Sequence, residues 1–558
     1  MRRSLRELPH SFKAAVVTQL AMVCVLTVST ATAAQLTGVV LDDATGKPIP
    51  CRVYVQAEKG DWIYVQSADP KGSALAYREQ WVPMATSVEK HTTLSAHPFR
   101  AELPAGKYTI TVERGKEYHT LTREIVMGDA AQRVELRLKR WIDLASRGWY
   151  SGETHVHRRV RELPNAMLAE DLNVAFPVTF WTTNAYQAPG LDPSPLRRQG
   201  PSPFGPRRDY GADPIPVDKT HVIFPRNTEY EIFSIDGKRH VLGAVFVLNH
   251  KTVFREGMPP VSKIAAQARR EGALLDLDKH SWPWSMMLIP IAKIDLYELS
   301  NNSVWRTKFG FRRAGFTPPA YMNVERDEGG MTERGWLEFG FQNYYSLLNC
   351  GFRLRPTAGT ASGVHPVPLG HSRVYAHVEG EFSGEKWIEQ LRNGRSFVTT
   401  SPALFGQVDQ ERAGHVFRSP SPITKQLRGE AIAPAPLDKI EIIVNGRIVK
   451  SIKPANKSTA LGAYRSTFDV PLEFKESGWV VARCFHKGPD GKRVRFAHTA
   501  PWFVVIDDKP PRPRKAEMDF LISRVSGEIE RNRELLAPEA LAEFERALKI
   551  YQEIARRQ

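Results

Sequence analysis

Cysteine is scarce in this chain, with four residues in 558, at positions 24, 51, 350 and 484. None stands in a Cys-x-x-Cys spacing, which argues against a thiolate zinc site. Cys24 falls in the N-terminal segment, so at most one disulfide can form among the other three, and buried free thiols are expected. Long apolar runs are also missing. After residue 34 no stretch reaches the length needed to span a bilayer. Basic residues never crowd into a dense run, which argues against a nucleic-acid surface. What remains is the composition of a soluble globular protein, 42% hydrophobic and 25% charged. The length is too great for one ordinary domain, and three or four are expected.

The N-terminus reads as a targeting segment. Arg2, Arg3, Arg6 and Lys13 precede an apolar stretch over 14–28, and Ala31-Thr-Ala33-Ala34 offers small residues for cleavage. That is the layout of a secretory signal peptide over 1–34. The alternative is an uncleaved anchor, but Gln19, Thr27, Ser29 and Thr30 make a poor membrane helix. The expected location is therefore periplasmic or extracellular. Removing 1–34 takes four basic residues and one acidic one, leaving +13 of the formal +16. A basic exported protein favours anionic partners, such as a small anionic ester or an acidic polysaccharide of the cell envelope, although a solvated surface is the ordinary reading.

Four further regions follow. Residues 35–140 alternate polar and apolar positions around Gly- and Pro-rich turns, which predicts a β-sandwich. Over 141–402 short apolar runs at 148–153, 174–180, 221–224, 241–248, 273–277, 294–299 and 354–358 are separated by loops and helical stretches (164–172, 261–272, 384–393). That pattern predicts a parallel sheet covered on both faces. The Pro-, Gly- and Arg-rich segment 188–216 reads as a long binding loop or lid. Residues 403–507 return to β pattern, with an Asn445-Gly446 hairpin turn. In the tail, 508–558, Leu541, Phe544, Leu548 and Tyr551 form one apolar helical stripe.

Polar, metal-competent residues collect near the ends of the middle region's strands. His155 and His157 stand one residue apart and face the same way on an extended chain. Glu229 and Glu231, His240, His250, Asp276-Leu-Asp278-Lys-His280, Asp295, Glu298, Asn301, Asn302, His365 and His371 follow. In barrels of parallel strands, active groups sit at the carboxyl ends of the strands. Nitrogen and oxygen donors without sulfur suit zinc, manganese or iron. His155, His157, Glu229, His280, His365 and Asp276 are the candidate ligands. His240, His280 and Asp278 are candidates for proton transfer, and Arg226, Lys251, Asn301 and Arg373 for substrate binding. His91, His97, His119, His415 and His498 read as ordinary core or surface histidines. Tyr297, Trp282, Trp284 and Trp305 either line a pocket or pack the core, and packing is the plainer reading.

Two resemblances follow from these motifs. The segment 35–140 resembles the carboxypeptidase-regulatory-like (transthyretin-like) sandwich, which implies a structural or adhesive role. The segment 149–402 resembles the PHP superfamily of metal-dependent hydrolases, in its exported carbaryl-hydrolase-like (CehA/McbA) branch. The matching stretches are Gly152-Glu-Thr-His155-Val-His157, Asn227-Thr-Glu229, Leu275-Asp-Leu-Asp-Lys-His280, Glu298-Leu-Ser-Asn301, Gly370-His-Ser-Arg-Val-Tyr375 and Leu391-Arg-Asn-Gly-Arg-Ser-Phe-Val-Thr399, with His498-Thr-Ala-Pro501 beyond. The resemblance implies a distorted seven-stranded (β/α) barrel with a di- or trinuclear metal centre, hydrolysing phosphoesters or related esters; the cofactor expected for this chain is one to three divalent ions. It also implies that His155 and His157 share an ion, that Glu229 bridges ions and that His280 and His365 are further ligands. Two departures stand out. Phe180-Trp-Thr-Thr-Asn184 replaces the family's Thr-Asp-His-like run. Gly359-Thr-Ala361-Ser-Gly-Val-His365 replaces its Gly-Ser-Asp-x-His, so an aspartate is missing and Asp276 or Asp278 is the candidate to compensate. The alternatives are a degenerate barrel that binds glycans or peptides without turnover, and a structural cell-surface protein.

Overall fold

The computed structural model describes residues 33–80, 88–191, 207–304, 311–488 and 493–557. All but the last two residues of the expected leader, Cys24, positions 192–206 of the long loop, and Trp305 lie outside the described residues. Among the described residues no helix is long and apolar enough to cross a membrane. The chain is mixed α/β.

The N-terminal region is two sheets around one core. Ala34–Asp42 pairs with Gln132–Leu138 and with Phe99–Leu103, while Cys51–Ala57 lies between Val88–Leu94 and Gly106–Glu113. Strand Gln132–Leu138 buries every second residue, so Val134, Leu136 and Leu138 join Leu36, Val53, Phe99 and Ile110 inside. This layer is fixed to the middle region by Arg114 on Asp171 at 2.8 Å and by the buried Arg52–Glu170 pair. Its Tyr77 hydroxyl donates to the carbonyls of His365 and Val367, each at 3.1 Å.

All seven predicted runs of the middle region contain strands, but they belong to two sheets, and no barrel closes among the described residues. Trp149–Val156 lies between Val174–Pro177 and Arg373–His377. Phe180–Asn184, Thr228–Ile235, Lys238–Leu248, Leu274–Leu277, Leu296–Ser300 and Arg355–Ala358 run in that order through a second sheet. The expected all-parallel arrangement is corrected. Thr228–Ile235 and Lys238–Leu248 form an antiparallel hairpin, and Leu274–Leu277 is antiparallel to it. The cause is the turn at Asp236-Gly237, where both residues have positive φ (48° and 73°) and reverse the chain directly. The helices over 164–172, 261–272 and 384–393 are present as Leu163–Glu170, Ser262–Glu271 and Gly384–Asn393. An unexpected helix, Glu333–Asn349, is buried along most of its length and so shows no polar face in the sequence.

The sheet holding Trp149–Val156 does not stop at residue 402. It continues from Arg373–His377 through Ser396–Thr399 and Val494–Thr499 to Gly478–Lys487, Lys439–Val444 and Arg447–Ile452. A second sheet, built on Ile423–Ala433 and Tyr464–Phe474, covers this extension. The tail forms helices Lys515–Asn532 and Pro538–Ala555, which pack on the middle region. Phe544 and Tyr551 are buried there, and the Tyr551 hydroxyl donates to the Met286 carbonyl at 2.8 Å.

Candidate metal centre

Strand Trp149–Val156 is wholly buried and delivers His155 and, just past its end, His157 into the middle region's interior. Their Nε2 atoms are 3.2 Å apart. His157 Nε2 is also 3.2 Å from Oε2 of Glu229, the second residue of Thr228–Ile235. On its other side, His155 Nδ1 is 3.3 Å from Oε1 of Glu298 and 3.7 Å from Oδ1 of Asp278. Phe246 underlies the His155 ring at 4.5 Å and Trp181 stands edge-on to His157 at 5.3 Å. Three overlapping trios have donor atoms within 4.8 Å of one another: His155–His157–Glu229, His155–Asp278–Glu298 and Glu229–Glu231–Asp278.

The electrostatics of this cluster are those of burial. Desolvation, followed by the Lys279 charge, holds the His155 imidazole well below its ordinary value, so it is a neutral donor. Desolvation and the neighbouring Asp276 push the Glu298 carboxyl well above its ordinary value. Burial pushes Glu231 up to about 7. The Lys279 ammonium hydrogen-bonds Asp278 Oδ2 and lies 3.2 Å from Glu231 and 3.9 Å from Glu229.

These residues fit a divalent ion. Two nitrogens bound to one tetrahedral ion at about 2.0–2.1 Å lie roughly 3.3 Å apart, close to the His155–His157 spacing. Both Glu229 oxygens, Asp278 Oδ1 and Glu298 Oε1 are buried and accept no hydrogen bond among the described residues. Buried carboxylate oxygens without donors are costly unless a cation serves them. The buried groups can therefore hold a metal ion. Glu298, facing His155 Nδ1, is placed to fix that ring's tautomer so that Nε2 is the ligand atom.

Several expected site residues fall elsewhere. His280 is not grouped with the other donors. Its ring stacks on Tyr297 at 5.4 Å, among Trp336 and Phe339, and burial pushes its imidazole down to about 3. The strand ends before it, and the turn carries its side chain into the aromatic core instead. His240 lies six residues from Phe246, the partner of Glu229, or about 20 Å along an extended strand. It bonds Asn532 of the tail at 2.7 Å, so a part in proton transfer at the cluster is corrected. Asp276 is in none of the three trios, and both of its oxygens accept from the Thr357 hydroxyl, at 2.9 and 3.0 Å. Asp278, two residues on, is the carboxylate that reaches the cluster. His365 Nε2 contacts Asn302 Nδ2 at 3.2 Å, beside the cluster but in none of its trios.

The expected substrate contacts are also corrected. Arg373 is buried and its guanidinium donates to the carbonyls of Gly370, Asp171 and Glu170, which fixes a loop. Asn301 Oδ1 caps a turn by accepting from Ser303. Arg226 is paired with Asp209 at 2.6 Å, and Lys251 is exposed at the end of its strand. Instead, a narrow cleft beside His157 is lined by Arg158, Arg159, Arg207, Arg208, Thr179 and Tyr210. Arg207 donates to the His157 carbonyl at 2.8 Å. Two separate segments build this basic rim, so it was not legible as a run in the sequence. Lys279 was not among the expected site residues, although a lysine closing a buried strand was a readable signal.

Glu153, on the same strand as His155, is a structural staple. Its carboxyl accepts from the Thr360 amide at 2.7 Å, from the Thr360 hydroxyl and from the Gly370 amide at 2.5 Å. Searches against protein-family models and against curated proteins returned no match to this chain.

Proposed function

We propose that this protein is a metal-dependent hydrolase of phosphoesters or related esters, exported and built on a distorted seven-stranded barrel of the PHP type. The carrying observation is the buried His155–His157–Glu229 trio, with interatomic distances of 3.2 Å along both links. The barrel reading is supported by backbone bonds between the two sheets. The Ala361 amide donates to the His155 carbonyl and the His157 amide to the Ser362 carbonyl, each at 2.9 Å. Zinc, manganese or iron suits the donor set. A bound ion supplies water of lowered pKa and polarises an ester oxygen.

The protein's own part is positioning. Glu298 orients His155, and Lys279 balances the carboxylates on the far side. The arginines beside His157 give this rim a positive charge that favours an anionic ester, with Arg159 Nε making no hydrogen bond among the described residues.

Metal analysis of the purified protein, with turnover measured on a panel of phosphodiesters and carboxyl esters, tests this reading. At least one tightly held equivalent is expected, with His157→Ala losing the metal and at least 10²-fold in kcat/KM. No bound metal and no turnover would sink the proposal and leave the glycan- or peptide-binding alternative.

A further inference from the structure

The acidic side of the cluster raises a question of charge. Glu229, Glu231 and Asp278 bring three carboxylates to one buried point, with an oxygen of each within 4.8 Å of the others. Glu229 and Asp278 are fully buried, and Glu231 nearly so. Such a group is stable only if the charges are neutralised, by protons or by a cation. In related chemistry a second divalent ion meets that need. Here the Lys279 Nζ sits among all three carboxylates, hydrogen-bonded to Asp278, 3.2 Å from Glu231 and 3.9 Å from Glu229.

The lysine is held there from both ends. Its backbone carbonyl accepts from the Ser285 hydroxyl at 2.6 Å and from the Trp282 amide at 2.9 Å. Its ammonium lies 5.6 Å from the Trp282 ring centroid, within range of a cation–π contact. An ion bound by these three carboxylates needs oxygens at about 2.0–2.2 Å. That leaves no room for an ammonium already in contact with the same oxygens. The remaining trio, His155–Asp278–Glu298, offers no independent second place. It uses Nδ1 of a histidine whose Nε2 is turned to the first trio, and in a neutral ring ligating through Nε2 that Nδ1 carries the proton, facing Glu298 Oε1 at 3.3 Å and Asp278 Oδ1 at 3.7 Å.

We infer that Lys279 is a built-in cation occupying the second ion position, so that the centre holds one divalent ion, at His155, His157 and Glu229. This rests on the metal-centre reading. It narrows the chemistry to a single ion that activates water and polarises the ester, with a fixed ammonium beside it.

The test is a metal count on the full chain, stripped by chelation and then dialysed against excess Mn²⁺ or Zn²⁺. Wild type should hold one equivalent. Lys279→Ala and Lys279→Met should each hold two, and Lys279→Arg one. Two or more equivalents in wild type, or only one in both uncharged variants, would overturn the assignment. None in wild type would bring down the metal centre itself, and the assignment with it. If the uncharged variants do not fold, a wild-type titration decides: saturation at one equivalent supports the assignment, and a second equivalent overturns it.

Discussion

At the scale of single residues, the centre depends on how closely the backbone passes behind it. A methyl group added at Gly359 would lie 2.2 Å from His155 Cβ and 2.3 Å from Glu298 Oε1. No real contact is that short, and the obstacles are the root of one ligand and the carboxylate that orients it. Gly359→Ala is therefore expected to displace both and to weaken metal binding about 10- to 100-fold, as loss of an orienting partner does. A competitive chelator titration reads this directly, and unchanged affinity would show that the strand can shift without cost. His155, His157 and Glu229 were legible in the sequence because an alternating His pair and a buried acid are unusual by residue type. Lys279 and Glu298 had equal claim but were passed over for His280, whose side chain turns into an aromatic pocket. Residue type alone does not say on which side of a strand end a side chain emerges. The same limit hid Arg373, which read as a substrate contact and serves as a fastener.

Among elements, helix Ser262–Glu271 shows why local sequence rules reach only part of the fold. Its N-cap position is Val261, which has no side-chain oxygen to offer. The cap comes from Glu543 on the last helix, whose carboxylate accepts from the amides of Val261 at 2.7 Å and Ser262 at 2.8 Å. A negative group at a helix N-terminus also meets the positive end of the helix dipole. Glu543→Ala should lower stability by about 1–3 kcal/mol, since it removes charged hydrogen bonds and leaves buried amides without partners. Urea unfolding checks the value, and a change below about 0.5 kcal/mol would mean that solvent replaces the cap. The strand runs were legible because apolar clusters between turn signals are a local property. Their directions were not, although Asp236-Gly237 carried a readable hairpin signal between two strands. The helix Glu333–Asn349 escaped because burial on nearly all sides erases the periodicity by which helices are recognised.

For the molecule as a whole, the pH dependence of stability reflects two opposed sets of buried groups. Burial pushes His91, His250 and His486 down to about 4, and His280 and His498 to about 3. These folded values lie below the ordinary 6.5, so below that pH the unfolded chain takes up protons that the folded protein refuses. Each such histidine costs nothing above pH 6.5 and about 2 kcal/mol at pH 5. Burial pushes Glu153 up to about 7, with the opposite sign. Its folded value lies above the ordinary 4.5, so its contribution favours the folded state at low pH and is lost as pH rises toward 7. Taken from pH 7 to pH 5, His498→Gln should therefore retain about 2 kcal/mol more stability than wild type, and Glu153→Gln about 2 kcal/mol less. Urea midpoints of the three proteins at both pH values test the two signs, and parallel curves would contradict both. The sheet that carries His155 has its own consequence at this scale. It ends at strand Arg447–Ile452, where Ile448 and Val449 are about half exposed. The wall bearing the ligands and the outermost face of the C-terminal sandwich are thus one continuous fabric of hydrogen bonds. The sandwich cannot be exchanged as a detachable cassette, because unpicking it would leave an open seam two strands away from the metal.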